Sequence, residues 1–261
     1  MREETERSAL LLGENNIEKL ASARVIVFGI GGVGGYVTEA LARTGIGHLE
    51  LVDSDRVSRS NINRQIIALQ STIGRYKTEV MKERILDINP SAEVITRECF
   101  FLPENASEFD FTQYDYVVDA VDTVTAKISL IMAANAAGTP IISSMGAGNK
   151  LDPTKFQVAD IYKTSICPLA KVMRRELRKR GIKKLKCVYS TEESITPEAN
   201  SEEEDLSEEN TNTLEEKSEI SPESKRKKAV PGSVAFVPSA AGLIIAGEVV
   251  KDLLEITKIS Q

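Results

Sequence analysis

Seven consecutive residues near the amino terminus form a glycine-rich loop, Gly29-Ile30-Gly31-Gly32-Val33-Gly34-Gly35. The loop follows an apolar run typical of a strand and precedes a helical pattern, which is the context of phosphate-binding loops. Glycine lets the backbone approach a phosphate closely, and a helix amino terminus supplies free N–H donors. The loop therefore predicts a nucleotide site, with Gly29, Gly31, Gly32 and Gly34 as binding positions. A tight turn without a ligand is the alternative.

Two carboxylates follow the next apolar run. Asp53 lies where an acidic residue commonly accepts hydrogen bonds from ribose hydroxyls, and this position suits an NAD enzyme equally well. Asp55 is either a turn residue or a metal-associated carboxylate, and the turn is favoured. Both residues are candidates for the nucleotide site, but neither distinguishes one nucleotide reaction from another.

Two cations distinguish the reactions. Arg64 lies in Ser60-Asn61-Ile62-Asn63-Arg64-Gln65, and Lys77 ends Gly74-Arg75-Tyr76-Lys77. A hydride-transfer enzyme leaves the pyrophosphate of its cofactor intact, whereas attack on the α-phosphate of ATP builds charge on that phosphate and on departing pyrophosphate. Fixed arginine and lysine side chains stabilise this charge as it develops. The pair predicts adenylation, and two solvated surface cations are the alternative.

Asp119 and Asp122 fall at the end of a further apolar run. A carboxylate at the carboxyl edge of a parallel sheet, beside a triphosphate, is a typical Mg²⁺ ligand. Asp122 is the better candidate because Asp119 falls inside the predicted strand. The alternative for Asp122 is a helix amino cap. The predicted cofactors are thus ATP and Mg²⁺.

The elements that must position these residues alternate between strand and helix over the first 145 residues. This alternation predicts an α/β, Rossmann-like domain with a mainly parallel sheet, followed by a C-terminal extension with further strands and a helix. The predicted strands are 24–28, 48–52, 93–97, 116–120, 140–144 and 232–237, and the helices are 36–44, 78–89, 127–137, 168–180 and 240–254. The expected units are a helical segment (1–23), the adenylation domain (24–165), a basic helix and strand (166–190), an acidic disordered insert (191–230) and a C-terminal strand and helix (231–261).

Charge and cysteine content restrict the setting. The net charge of −6 comes from the tract 191–228, where thirteen acidic residues face five basic ones, so the rest of the chain is net positive. Three cysteines without a C-x-x-C pair provide neither a disulfide framework nor a zinc site. Neither a signal peptide nor a bilayer span is evident. A cytoplasmic protein without a membrane partner is expected.

A basic helix is the candidate surface for nucleic acid. Its spacing places Lys171, Arg174, Arg175 and Arg178 on one face, and only Glu176 opposes nine cations between 171 and 186. Such a stripe would contact tRNA phosphates without reading sequence. The alternative is a solvated helix face.

Together these motifs resemble the ubiquitin-activating-enzyme-like superfamily, which includes the bacterial adenylyltransferases of molybdopterin and thiamine synthesis. The resemblance covers residues 7–190 and 231–255. It implies phosphate contacts for Arg64 and Lys77, ribose contact for Asp53, phosphate or metal contact for Asn61, and magnesium for Asp122. Arg7 matches an arginine that such enzymes insert into the partner subunit's site, which implies a catalytic role and a homodimer.

Later motifs are similar to those of the tRNA threonylcarbamoyladenosine dehydratase family, and the paired zinc cysteines of the sulfur-transfer branches are absent. The motifs are Asn61-Ile-Asn-Arg-Gln65, Ile88-Asn-Pro90, Gly146-Ala-Gly148 with Asp152-Pro153-Thr154, Cys187-Val-Tyr-Ser-Thr-Glu192 and Gly232-Ser-Val-Ala-Phe-Val-Pro238. The resemblance implies that ATP activates the threonyl carboxylate of a modified adenosine beside the tRNA anticodon. The neighbouring carbamoyl oxygen then expels AMP and closes a ring with net loss of water.

Other interpretations stay open. Cys187 is either a thioester or persulfide thiol, by analogy with sulfur-carrier enzymes, or a structural thiol, which is commoner. The chain could instead activate the carboxyl terminus of a ubiquitin-like or sulfur-carrier protein, with a sulfur-acceptor or activator protein as partner. A nucleotide-sensing or NAD-binding module without ATP chemistry is the third interpretation, and pyrophosphate release separates it from the other two.

Overall fold

The computed structural model describes residues 3–196 and 231–256. Within them, seven strands form one sheet in the order β3-β2-β1-β4-β5-β7-β6. The strands are β1 Arg24–Phe28, β2 His48–Val52, β3 Glu93–Arg97, β4 Tyr116–Asp119, β5 Ile141–Ser144, β6 Phe156–Asp160 and β7 Lys186–Ser190. The helices are α1 Glu6–Leu12, α2 Glu14–Ser22, α3 Gly34–Thr44, α4 Lys77–Ile88, α5 Val124–Ala137, α6 Pro168–Lys179 and α7 Phe236–Leu253. All pairings are parallel except β6 with β7, so the predicted α/β class with a mainly parallel sheet is confirmed.

The central strands are apolar on both faces because helices cover both sides of the sheet. Along β1, Val25 and Val27 face the cluster that contains α3, α4 and α7, whereas Ile26 and Phe28 face α5. On the α5 side, Phe28 packs against three further phenylalanine rings, with centroid distances of 5.1–6.0 Å. This alternation follows from the two-residue period of a strand and fixes both sheet faces.

α7 packs closely on α3 through Gly242. A Cβ atom at Gly242 would lie 2.5 Å from the carbonyl oxygen of Val33, so no larger residue fits without a backbone shift. The carboxyl-terminal helix therefore supports the loop from which α3 begins.

One predicted element is wrong. Residues 232–237 do not form a strand: 231–235 are irregular, and α7 begins at Phe236. The β-branched residues there suggest a strand, but Val237 is buried in the first turn of the helix. Pro238 is compatible with that turn because its missing N–H would have no helical partner. The edge strand β6, which pairs antiparallel with β7, was not predicted.

Most of the predicted acidic insert, residues 197–230, lies outside the described residues. In the described ranges, no helix has the length and apolarity needed to cross a membrane.

Candidate nucleotide site

The glycine loop lies where the strand order reverses direction. β1 pairs with β2 on one side and with β4 on the other, and ligands bind at such a switch point, beyond the carboxyl ends of the strands. Gly29 has φ +87°, and a Cβ atom there would lie 2.7 Å from the carbonyl oxygen of Ala120 after β4. A Cβ atom at Gly34 would lie 1.8 Å from the carbonyl oxygen of Gly29. These two glycines let the loop fold against β4.

The other two predicted glycines, Gly31 and Gly32, are half-buried and differ in how crowded they are. Among the described residues, the Cβ position of Gly31 has one neighbour within 4 Å, Nε2 of Gln65 at 3.8 Å. The Cβ position of Gly32 is crowded, 3.3 Å from Cβ of Pro238 and 3.6 Å from Cγ of Arg64, whose aliphatic stem therefore packs over the loop. The loop brings the uncrowded Gly31 position and a guanidinium together, as an anion site requires.

The Asp53 carboxylate holds the glycine loop through a hydrogen bond to the loop backbone. Its Oδ2 accepts a hydrogen bond from N of Ile30 at 2.6 Å, and its Oδ1 accepts one from N of Asp55 at 2.8 Å. Burial raises the pKa of Asp53, although Lys77 and the two N–H donors act in the opposite direction. Each oxygen keeps a second lone pair, so the predicted ribose contact is compatible with this geometry. The Asp53-to-Asp55 bond also agrees with the turn favoured for Asp55.

Lys77 reaches the same place from the start of α4. It is 5% exposed, and its Nζ lies 2.7 Å from Oδ2 of Asp55 and 3.9 Å from Oδ2 of Asp53. Only the first distance is a hydrogen bond, so two of the three ammonium donors have no protein acceptor among the described residues. The lysine is fixed in position yet keeps bonding capacity for a ligand.

Arg64 is held on one side of its guanidinium. Its NH1 group donates to the carbonyl oxygen of Ser60 and to Oδ1 of Asn63, both at 2.9 Å. No bond within the described chain uses its Nε or NH2 group. A guanidinium fixed through one nitrogen can present the others to a phosphate.

Asn61 and Asp122 differ in how far they are engaged. Oδ1 of Asn61 accepts from N of Ser58 at 3.1 Å and caps a short 3₁₀ turn, which leaves its N–H₂ group for a ligand. Asp122 is exposed and makes no hydrogen bond or ion pair with the described residues. Thr123, not Asp122, occupies the N-cap position of α5, so the capping alternative for Asp122 is wrong. No three potential metal ligands cluster in the parts of the chain that the structure describes.

Arg7 lies away from the nucleotide site of its own chain. It is exposed on α1, and the neighbouring Thr5 contacts the Cβ position of Gly45 at 3.2 Å, beyond the carboxyl end of α3. The glycine loop is at the other end of that eleven-residue helix, roughly 16 Å away. The structure therefore does not bring Arg7 together with the other predicted catalytic residues of the same chain.

The four predicted tRNA contacts on α6 are not equivalent. Lys171 and Arg175 are exposed, whereas half-buried Arg174 donates from NH1 to the carbonyl oxygen of Thr164 at 2.9 Å. The guanidinium of Arg178 lies 5.3 Å from the ring centroid of Tyr162. The stripe is thus narrower than helical spacing predicts, because Arg174 joins α6 to the preceding loop.

Glu176 concentrates the counter-charge of α6. Its carboxylate accepts from the side chains of Arg180, Lys179 and Arg175, and these bonds lower its pKa to about 2. Glu176, the single acidic residue among the cations, is therefore fully ionised at neutral pH. It partly neutralises the positive charge at the end of α6.

Cys187 is buried in β7. Burial raises the pKa of its thiol to about 12, and its Sγ donates to the carbonyl oxygen of Ala159 at 3.4 Å. A thioester or persulfide role requires an accessible thiolate, so this environment supports the structural alternative.

The sequence gives no role to Gln65, whose surroundings resemble those of a binding residue. Its side chain is 7% exposed, and its buried Oε1 has no partner among the described residues. Ser54 Oγ, between the two acidic residues of the turn, is buried and unpartnered in the same way. In the sequence, Gln65 follows Arg64 and Ser54 follows Asp53. This adjacency to predicted site residues could have drawn attention to both, but it does not indicate that their side chains are buried.

The fold and the site define a nucleotide-binding α/β protein whose paired cations suit chemistry on phosphates. Residues 5–261 match the model of the ThiF family, and the chain belongs to that family.

Several relatives share one description. The chain is 46% identical over 250 residues to the tRNA threonylcarbamoyladenosine dehydratase of Bacillus subtilis, covering 95% of this chain and 94% of that protein. It is 41% identical over 200 residues to the Escherichia coli protein of the same name, covering 74% and 75%. A crystal structure of E. coli TcdA in complex with AMP has a TM-score of 0.82 at 34% identity, covering 97% of this chain and 95% of that chain. Another structure of that protein contains ATP.

Proposed function

We propose that this protein is an ATP-dependent tRNA threonylcarbamoyladenosine dehydratase, acting in the cytoplasm where tRNA is found. The observation that carries the proposal is the convergence of the glycine loop, Arg64 and Lys77 at the switch point of the sheet. This arrangement occurs in a chain that resembles the B. subtilis dehydratase over nearly its whole length. The proposed reaction adenylates the threonyl carboxylate, releases pyrophosphate, and then releases AMP as the ring closes.

The residues of this chain would divide the work between binding and charge stabilisation. The backbone of Gly31 and Gly32 would contact the phosphates, and Asp53 would accept from the ribose. The free donors of Arg64 and Lys77 would stabilise charge on the α-phosphate and on departing pyrophosphate. Ring closure needs no enzyme nucleophile, because the attacking carbamoyl oxygen is held on the same substrate as the activated carboxylate.

Magnesium would be held by Asp122 together with phosphate oxygens. Asp122 suits this role because its carboxylate is exposed at the carboxyl edge of β4 and has no protein partner in the described residues. A site with one protein carboxylate and several phosphate or water oxygens is typical for Mg²⁺, which keeps much of its hydration. The ion would supply neutralisation of phosphate charge.

A homodimer is part of the proposal. Arg7 can act at a nucleotide site only if that site belongs to a second copy, because its own site is at the far end of α3. Next to it on α1, Leu10 and Leu11 are 85% and 86% exposed, which is unfavourable for paired leucines unless another surface covers them. Replacing both with Glu is expected to give monomers in sedimentation analysis, and unchanged mass would count against the dimer.

The exposed cations of α6 would contact tRNA. The double variant Lys171→Glu/Arg175→Glu is expected to weaken tRNA binding and to reduce the salt dependence of the binding constant, while ATP affinity stays the same. Lys19→Glu/Lys82→Glu changes the charge equally on other helices and serves as the matched control. Equal tRNA affinity in both double variants would remove α6 from the proposal.

In the decisive experiment, tRNA that contains threonylcarbamoyladenosine is incubated with the protein and ATP, and tRNA without this modification serves as a control. Mass analysis of the nucleosides is expected to show loss of one water molecule from the modified adenosine, with one AMP and one pyrophosphate released per product. Omitting ATP is the negative control. Release of pyrophosphate only with a carrier protein would instead identify an activating enzyme of that class. A requirement for added cell extract would indicate a sulfur-acceptor or activator protein as a further partner.

A further inference from the structure

The segment 231–235 runs along the rim of the site, from the loop after β5 to the glycine loop. Asn149 donates from its backbone N to the carbonyl oxygen of Gly232 at 2.8 Å, and Gly232 donates from N to Oδ1 of Asn149 at 2.6 Å. At the other end, Pro238 Cβ lies 3.3 Å from the Cβ position of Gly32. The segment is therefore fastened on both sides of the switch point.

Asn63 connects this segment to Arg64. Its Nδ2 donates to the carbonyl oxygen of Ser233 at 2.9 Å, and its Oδ1 accepts from NH1 of Arg64 at 2.9 Å. Rotating the carboxamide by half a turn would place oxygen against oxygen and nitrogen against nitrogen. The carbonyl group of Ser233 thus determines which end of the Asn63 side chain faces the arginine.

This orientation matters because a free arginine side chain has many rotamers. Ordering such a side chain costs conformational entropy, and an arginine that acts on a transition state is more effective when it is ordered beforehand. Asn63 and the carbonyl oxygen of Ser60 hold one guanidinium nitrogen, while the other nitrogens stay available. We propose that Asn63 is a positioning residue for adenylation that acts through Arg64 and is itself oriented by the 231–235 segment, an inference that rests on the function proposed above.

The test is a double-mutant cycle with Asn63→Ala, Arg64→Ala and the combined variant. The rate measured is tRNA-dependent pyrophosphate release, expressed as kcat/KM for ATP. Asn63→Ala is expected to lower this value about tenfold, the effect of one hydrogen bond to a charged group. In the Arg64→Ala background the same change is expected to alter it by less than about twofold, since coupled residues are not additive. If Asn63 had a purely structural role, Asn63→Ala would lower kcat/KM by the same factor in the wild-type and Arg64→Ala backgrounds.

Asn135→Ala, an exposed asparagine on α5, is the matched control and is expected to match the wild type. Asn63 is exposed too, so its variant is expected to fold, and thermal melting checks this. An equal loss in both backgrounds, or an unchanged rate for Asn63→Ala, would overturn the inference. If the wild-type protein releases no pyrophosphate with tRNA, the proposed function fails. The same four proteins, compared by ATP dissociation constant, would then still decide whether Asn63 acts through Arg64.

Discussion

Two buried lysines, each paired with an aspartate, lie near the carboxyl ends of β4 and β2 and differ in how completely they are bonded. Lys127, which is 1% exposed, directs Nζ to both oxygens of Asp119, at 3.1 and 3.2 Å, and to the carbonyl oxygen of Ser144 at 2.7 Å. Asp119 also accepts from Oγ of Ser143 at 2.5 Å. Lys77 makes one hydrogen bond, to Asp55. All three donors of Lys127 are used within the protein, whereas Lys77 keeps donors for a ligand.

The largest expected effect comes from breaking the saturated pair. Lys127→Met leaves Asp119 as an uncompensated buried charge and is expected to reduce the free energy of unfolding by about 3–5 kcal/mol. Urea denaturation measures this change. The combined variant Asp119→Asn/Lys127→Met removes both charges and is expected to recover most of the loss. If it is as unstable as the single variant, lost packing rather than charge is responsible.

Replacing the unsaturated lysine is expected to affect catalysis instead. Lys77→Met should lower kcat for tRNA-dependent pyrophosphate release by about 10²–10³-fold, because one donor to the developing charge is lost. Its effect on unfolding should be smaller than that of Lys127→Met, since Asp53 keeps its two backbone donors and Asp55 is exposed. Lys82→Met on the same helix is the control. Near-normal turnover in Lys77→Met would contradict the distinction between the two pairs.

The pH dependence of stability provides a finer test of the site around Lys77 and Asp53. Burial raises the pKa of Asp53 in the folded protein, so the folded state binds its proton more tightly than the unfolded state does. As pH rises from about 4, the usual carboxyl pKa, through the raised value, this residue should progressively reduce stability. Denaturation across this range should show wild type losing stability relative to Asp53→Asn. A difference that is independent of pH would show that the pKa is not raised.

The smallest effect is expected at Cys187. Its burial and raised pKa predict that iodoacetamide at mildly alkaline pH does not modify it in the folded protein, although half-buried Cys99 reacts slowly. Cys187→Ala should keep turnover within about twofold. Mass analysis of peptides and the pyrophosphate assay check both expectations. Rapid labelling, or loss of turnover in a folded variant, would restore the thiol hypothesis.

Sequence reasoning works best where local pattern and local structure coincide. The apolar runs before the glycine loop and before Asp53 become β1 and β2, because strands buried on both faces have a strong hydrophobic signal. The pattern fails at 232–237, where β-branched residues enter a helix whose position depends on packing against α3. Such packing is a tertiary effect, and a short window of sequence does not contain it.

The site shows the same limit. Residue type and order are enough to select Arg64 and Lys77. They cannot indicate which N–H groups of these side chains are already hydrogen-bonded within the protein. Helical spacing groups Arg174 with the other cations of α6, although its guanidinium is bound by Thr164 in the preceding loop. Spacing along the chain likewise gives no sign that Arg7 lies at the far end of α3. Each of these outcomes depends on three-dimensional contacts that the order of residues along the chain does not specify.

The contact between Gly242 and Val33 has a consequence for how the protein is made. The phosphate loop is synthesised early, but α7, which supports it, comes last among the described elements. Domains fold as units during synthesis, and here the unit needs its final helix. A nascent chain that stops before Phe236 therefore lacks one wall of its nucleotide site. The ability to bind nucleotide should arise only after α7 has been translated.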